Sequence, residues 1–321
     1  MAALRRSTLL ALSLAGTLAV SACGGGDQLS GGDGGGGATA GGGGGGEVVV
    51  GGATFTEMAL MENMYAALLQ DAGYDVTITS TEARATYGPA LIDGQIDVVP
   101  EYAAAMADWL SGQDGGGAVA EPDVEGTMAV LEPLAEEAGL TAGEPAEASS
   151  DNAFYITQEA ADAGGITTLS DFAASLDGPV ELAAGEECLD EVQQPTCAAA
   201  LSDAYGIEIS GVTGDEFGSV TGKQKVADGQ VPLGISGTTD ATLADLGLVL
   251  LEDDLDVQPA NNLVPVANAD VDDQVLEVLD QLSPVLTTED LGELDAQVDQ
   301  QRLLPEDVAH DYLVEKGLLE G

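Results

Sequence analysis

Basic residues are almost missing from this 321-residue chain: seven Lys and Arg stand against 57 Asp and Glu, a formal charge of −50. A field of that sign repels phosphate backbones and anionic lipid, so nucleic acid is excluded as a partner, whereas cations are attracted. Histidine is reduced to His310, in a C-terminal helical stretch without a nucleophile or metal-ligand spacing near it. Neither a GxSxG elbow nor an HExxH pair occurs, and acid runs such as LEDDLD at 251–256 lack the glycine of a calcium loop. Hydrolytic, zinc and calcium chemistry therefore have no basis in the sequence, and no catalytic residue, metal ligand or cofactor is expected. Aromatic residues make up only 4% of the chain, so any site built from rings must draw on a small set.

What the N-terminus does contain is an export signal. Arg5 and Arg6 precede an apolar run at 9–20 and then Ser21, Ala22 and Cys23. That run is too short to cross a ~30 Å hydrocarbon core as a helix, and basic, apolar and small residues follow in the order of a cleavable leader. The sequence VSAC at 20–23 resembles the lipobox of bacterial lipoproteins, which implies that residues 1–22 are a signal peptide and that Cys23 is the lipidated first residue of an exported, membrane-anchored chain; simple cleavage near Cys23 is the other reading. The Arg pair leaves the general and twin-arginine export routes both open. Residues 23–46 are mostly Gly after the Cys, with scattered Asp, Ser, Thr and Ala, and read as a flexible tether. Cys188 and Cys197 remain as an even pair, for which a disulfide is the default in an exported protein. A metal or redox pair is the other reading, with no third thiol or neighbouring His to complete it.

From Glu47 onward, Val- and Ile-rich runs bounded by Gly alternate with helix-length amphipathic segments, a βαβαβ start that predicts a parallel sheet covered by helices. Thr54 and Glu57 have capping-box spacing before the first helix, and Gly73 stands at its far end. A Pro-, Glu- and Ala-rich stretch at 139–150 interrupts the pattern, and a second α/β series follows from Asn152. After Asn261 and Asn262 a run LVPVA leads into three amphipathic helices, near 271–282, 288–298 and 305–316. No strand series accompanies them, so the chain is expected to return to its first half. The expected organisation is one lobe from 47–150 plus 259–321, a second from 151–258, two crossovers, and a cleft between the lobes.

Five segments in order resemble the osmoprotectant (glycine betaine/choline) branch of the ABC transporter substrate-binding proteins: GGATFTE at 51–57, EARATYGPALIDGQIDVVPEY at 82–102, DNAFYIT at 151–157, the Cys-bracketed ECLDEVQQPTC at 187–197, and QPANNLVPV at 258–266. The resemblance implies an α/β, two-lobed periplasmic-binding-protein fold of type II. It implies an expected monomer that is not an enzyme, that takes up a small quaternary-ammonium or betaine ligand, and that works with an ABC permease. A binding protein for another small polar solute, or a tethered sensor of the same fold, is the alternative. Two departures stand out: Ala103, Ala104 and Ala105 follow PEY where the family often has TGT or AGT, and Ser236 and Gly237 stand where it often has an aromatic.

A quaternary ammonium offers no conventional hydrogen bond to a receptor, so ring faces and desolvation must select it. Phe55, Tyr87, Tyr102 and Phe154 are the candidate rings, all near strand ends or connections, where open α/β sheets hold ligands. Thr56 and the adjoining amides at a helix N-terminus could meet a carboxylate, and Arg84, on the Arg of the family's matching element, is the stronger candidate for it. Asn152, Thr238, Thr239 and Asp240 complete the candidate set as polar groups at the crossing and strand end. Lys223 and Lys225 are expected to be solvated on a surface helix.

Overall fold

The computed structural model describes residues 45–81, 83–113, 115–190 and 194–321. The leader, Cys23 and the tether as far as Gly44 lie outside the described residues. Gly45 and Gly46 already extend the first strand pair, since Gly45 N donates to Gly73 O and Asp75 N to Gly46 O.

The chain opens with β1 (Glu47–Ala53), α1 (Thr56–Asp71), β2 (Asp75–Thr81), α2 (Arg84–Ile92) and β3 (Val98–Tyr102). Met58, Leu60, Met61, Met64, Tyr65, Leu68 and Leu69 of α1 are all buried, so this helix is enclosed around most of its circumference rather than along one stripe. Its start differs from the expected capping box: Phe55 occupies the N-cap in extended backbone and makes no side-chain cap. Glu57 is thus the second helical residue, one position short of the reciprocal bond, and its carboxylate turns elsewhere. Gly73, at φ +96°, closes the far end in a conformation that residues with a Cβ rarely adopt.

Two helices that the sequence reading passed over follow, α3 (Ala103–Gln113) and α4 (Val124–Glu137), then β4 (Leu140–Ala142). The second lobe comprises β5 (Asn152–Thr157), α5 (Gln158–Gly164), α6 (Leu169–Ser175), β6 (Val180–Ala183), α7 (Ala200–Tyr205), β7 (Ile209–Val212), α8 (Val220–Ala227), β8 (Leu233–Gly237) and β9 (Leu248–Leu250). The chain then returns through β10 (Leu263–Asn268) to α9 (Asp273–Leu279), α10 (Thr288–Asp299) and α11 (Pro305–Glu315), which pack on α1. No helix among the described residues is long and apolar enough to cross a membrane.

The first sheet has the order β2-β1-β3-β10-β4 and the second β7-β6-β8-β5-β9. Neither is purely parallel as expected. β10 runs antiparallel to β3 and β4, and β5 antiparallel to β8 and β9. The cause is the connectivity. Each is the strand a sheet receives straight from a crossing, so it starts where its parallel neighbours end, Leu263 opposite Tyr102 and Asn152 opposite Gly237. The two crossings lie side by side: Ser149 bridges Asn262, Ser150 N donates to Asn261 O, and Asn261 N donates to Asp151 Oδ1 at 2.9 Å.

The first core joins β1, β3 and β10 to α1 and to Leu282, Leu286, Leu291, Leu294 and Leu313 of the closing segment. The second is centred on Phe154, Ile156, Leu182, Leu201 and Leu233, and a smaller cluster around Tyr155 and Val226 adjoins it. Cys188 and Cys197 are disulfide-bonded, with Cα atoms 5.3 Å apart, and both are buried in the second core.

Candidate ligand-binding cleft

The strand ends β3 and β8, the start of α1, the first crossing and one face of α10 surround a cavity of ≈ 520 Å³. Its position follows from the two sheets: parallel strands leave their carboxyl ends open toward the connection between lobes. Gly292 of α10 allows the lobes to meet closely there, since a Cβ at that position would sit 3.2 Å from Thr239 O.

Rings enter the cavity from both lobes. Phe55 stacks on Tyr102, with centroids 6.4 Å apart and planes inclined by 24°; Phe55 is half exposed while Tyr102 is buried. Phe217, half exposed, reaches in from the loop before α8. The following Gly218 would place a Cβ 3.0 Å from Ser236 Oγ, so this loop lies directly against Ser236. Ser236, the small residue that departs from the family pattern, and Phe217 thus line the same cavity.

Below the rings sits Glu57, 6% exposed. Tyr102 OH donates to its Oε1, and Thr239 Oγ1 and Ser150 Oγ donate to its Oε2 at 2.7 and 3.3 Å. One carboxylate therefore ties β3, the crossing and the end of β8 together. Burial, and then the charge of Glu57, push the Tyr102 phenol well above its ordinary range, so it stays a donor. Asp295 of α10 lies against Glu57. Burial first, and then the charge and hydrogen bond of Glu57, push Asp295 up to about 9. Asp299, one turn further along α10, accepts from Thr56 Oγ1 at 2.6 Å.

Lys223 is not the solvated residue that helix position suggested. It is buried, and its Nζ donates to Asp240 Oδ2 at 2.7 Å and to Thr242 Oγ1 at 2.6 Å. Burial works against the charge of Asp240, yet hydrogen bonds from Lys223, Ser236 and Thr242 together outweigh it and hold the carboxyl below its usual range. Lys225 pairs with Asp215 at 2.7 Å.

Of the residues singled out from sequence, Phe55, Thr56, Tyr102, Asn152, Thr239 and Asp240 line this cavity. Arg84, Tyr87, Phe154 and Thr238 do not. Arg84 and Tyr87 both engage Glu101, which is fully buried. Phe154 lies two residues along β5 from Asn152, about 7 Å deeper, and is enclosed by the second core. Thr238 faces away, accepting from Asp151 N at 3.1 Å and bordering a recess behind the crossings. Glu57, Ser150, Phe217, Lys223, Ser236, Asp295 and Asp299 are lining residues that sequence reasoning did not select. Only Phe217, a ring isolated in the loop GDEFGS, carried a local signal.

Residues 46–315 match the family model described as the substrate binding domain of ABC-type glycine betaine transport systems. A glycine-betaine-binding protein of Pseudomonas aeruginosa is 29% identical over 282 residues, covering 84% of this chain and 88% of that protein. Among solved structures, a glycine betaine/carnitine/choline ABC transporter protein superposes with a TM-score of 0.73 at 17% identity, over 85% of this chain and 98% of that one. Apo YehZ from Escherichia coli gives 0.69 at 24%, over 85% and 99%. The two solved structures share the two-lobed fold.

Proposed function

The chain belongs to the family of substrate-binding domains of ABC-type glycine betaine transport systems, which bind solutes and are not enzymes, and we propose that it captures a quaternary-ammonium osmoprotectant in the cleft between its lobes. The observation that carries this reading is the ring set. Phe55 and Tyr102 line the cleft from the first lobe and Phe217 from the second, beside the buried carboxylate of Glu57 and further acids. Methylated ammonium groups are attracted to ring faces and to negative charge, and each good ring contact contributes about 0.5 to 2 kcal/mol once water is excluded.

Capture proceeds by lobe closure about the paired crossings at 149–151 and 261–262. A ligand stabilises the closed state only through contacts that the open state lacks, and rings on opposite lobes meet that requirement. The working division is one lobe from 47–150 plus 259–321 and a second from 151–258. Delivery is to an ABC permease, from an exported monomer anchored through lipid on Cys23 to the outer face of the cytoplasmic membrane. Cys23→Ala would then release the protein from the membrane fraction.

Titration calorimetry against choline, glycine betaine, carnitine and proline tests the ligand class. Micromolar binding of a quaternary ammonium, weakened by Tyr102→Ala and by Phe217→Ala, is expected. Binding to none of these compounds would retire the osmoprotectant reading and leave the fold.

A further inference from the structure

Five carboxyl groups border the cleft, Glu57, Asp151, Asp240, Asp295 and Asp299, and four of them are matched by donors. Glu57 accepts three hydroxyl bonds, Asp240 holds Lys223, Asp299 accepts from Thr56, and Asp151 accepts from Ser149 Oγ and Asn261 N. Asp295 differs. Its Oδ1 is buried without a hydrogen-bond partner among the described residues, and its carboxyl lies against that of Glu57 in the lining of the same cavity. Two carboxyl groups in such contact cannot both be ionised cheaply where burial withdraws part of their solvation, and a proton held by one of them relieves the repulsion.

The charged surroundings point the same way. Glu57 from α1, Asp299 from α10 itself and Asp240 from the end of β8 all favour the protonated form of Asp295. Tyr102 from β3 is a neutral donor already engaged by Glu57, Asp151 at the crossing is a further acid, and the Lys223 ammonium from α8 is committed to Asp240. No basic side chain reaches the pair among the described residues.

We propose, taking the cleft as the ligand site, that Glu57 and Asp295 hold one proton between them in the unliganded protein and that a ligand of net positive charge displaces it to solvent. A choline-type cation then stabilises both carboxylates in its own right, and the proton leaves as the cation arrives. A betaine brings its own carboxylate, cancels most of its field at the pair, and leaves the proton in place. The acid pair thereby becomes a determinant of ligand charge, and cation binding becomes pH-linked.

Calorimetry in two buffers of different ionisation enthalpy reads the proton directly. Near pH 7, close to one proton should be released per choline bound and almost none per glycine betaine. Choline affinity should rise about tenfold per pH unit between pH ~6 and ~8 and level off near the Asp295 transition. Asp295→Asn should abolish both the release and the pH dependence. Choline binding without proton release, at an affinity flat in pH, would overturn the proposal while sparing the ligand class. If neither compound binds, the function proposed above falls, and the shared proton is still tested in the unliganded protein. An infrared band of a protonated carboxyl at neutral pH, lost in Asp295→Asn, is expected, and its absence from the wild type would overturn the pair.

Discussion

Arg84 meets Glu101 through two parallel hydrogen bonds, Nε to Oε1 and Nη2 to Oε2, each 2.8 Å long. Glu101 is fully enclosed, and Tyr87 OH and Tyr102 N complete its partners at 2.8 and 3.1 Å. The guanidinium is therefore engaged inside the first lobe, directly behind a ring of the cleft, where it neutralises a buried charge and supports Tyr102 from below.

Arg84→Ala should accordingly act on stability rather than on ligand contacts. Removing one member of a buried pair strands the other, an effect of about 3 to 5 kcal/mol. Denaturant unfolding should show a loss of that order. A large drop in betaine affinity with stability unchanged would instead return Arg84 to the ligand.

The two faces of Tyr102 can be separated. Tyr102→Ala removes the ring and should weaken quaternary-ammonium binding roughly 2- to 30-fold, corresponding to about 0.5 to 2 kcal/mol. Tyr102→Phe keeps the ring and removes only the hydroxyl donor to Glu57, so its affinity should fall less, as read by the same titration. Equal losses in the two variants would show that the ring face contributes nothing.

Reduction of Cys188–Cys197 should destabilise the second lobe. The bond closes a loop of sequence separation 9, for which the chain-entropy model gives about 2 to 3 kcal/mol. Thermal melts with and without reductant, or of a Cys188→Ser, Cys197→Ser double variant, should show a lower midpoint. An unchanged midpoint would mean that the packing around the two sulfur atoms suffices.

Glu62 on α1 predicts a pH dependence of a particular sign. Burial pushes its carboxyl up to about 7 from an ordinary 4.5, against the bond donated by Ser80, and its Oε1 has no partner among the described residues. The folded state thus binds more protons than the unfolded one between these values, and its stability falls as pH rises from about 4.5 to 7. Glu62→Gln should remove that loss. With partial solvent screening allowed for, the variant should gain about 1 to 2 kcal/mol over wild type at pH ~8 and little at pH ~4. Equal differences at both pH values would remove Glu62 as the source.

Local pattern alone settled where most elements form. A Val run bounded by Gly placed β1, Gly73 marked the end of α1, and the apolar spacing of the last 50 residues or so yielded α9, α10 and α11 near their observed limits, because such patterns are properties of neighbours in the chain. The two-lobed class and the return of the closing helices to the first half were legible for the same reason: apolar faces without strands of their own must pack on elements already in place, here chiefly α1. The antiparallel course of β5 and β10 was not legible, since it depends on the end from which a crossing chain enters a sheet. The cleft was legible only in part. Phe55 and Tyr102 sit in recognisable motifs, but Glu57 looked like a cap, Lys223 like a surface residue, and Asp295 like one more acid in a chain full of them. What distinguishes these three is the company that folding gives them. Glu57 meets Thr239 across 182 positions of sequence, and Asp295 meets Glu57 because α10 folds back over the start of α1. Burial and the charge of a neighbour decide whether a carboxyl is a solvated surface group or a proton-holding one, and both are properties of three-dimensional packing that sequence spacing does not encode.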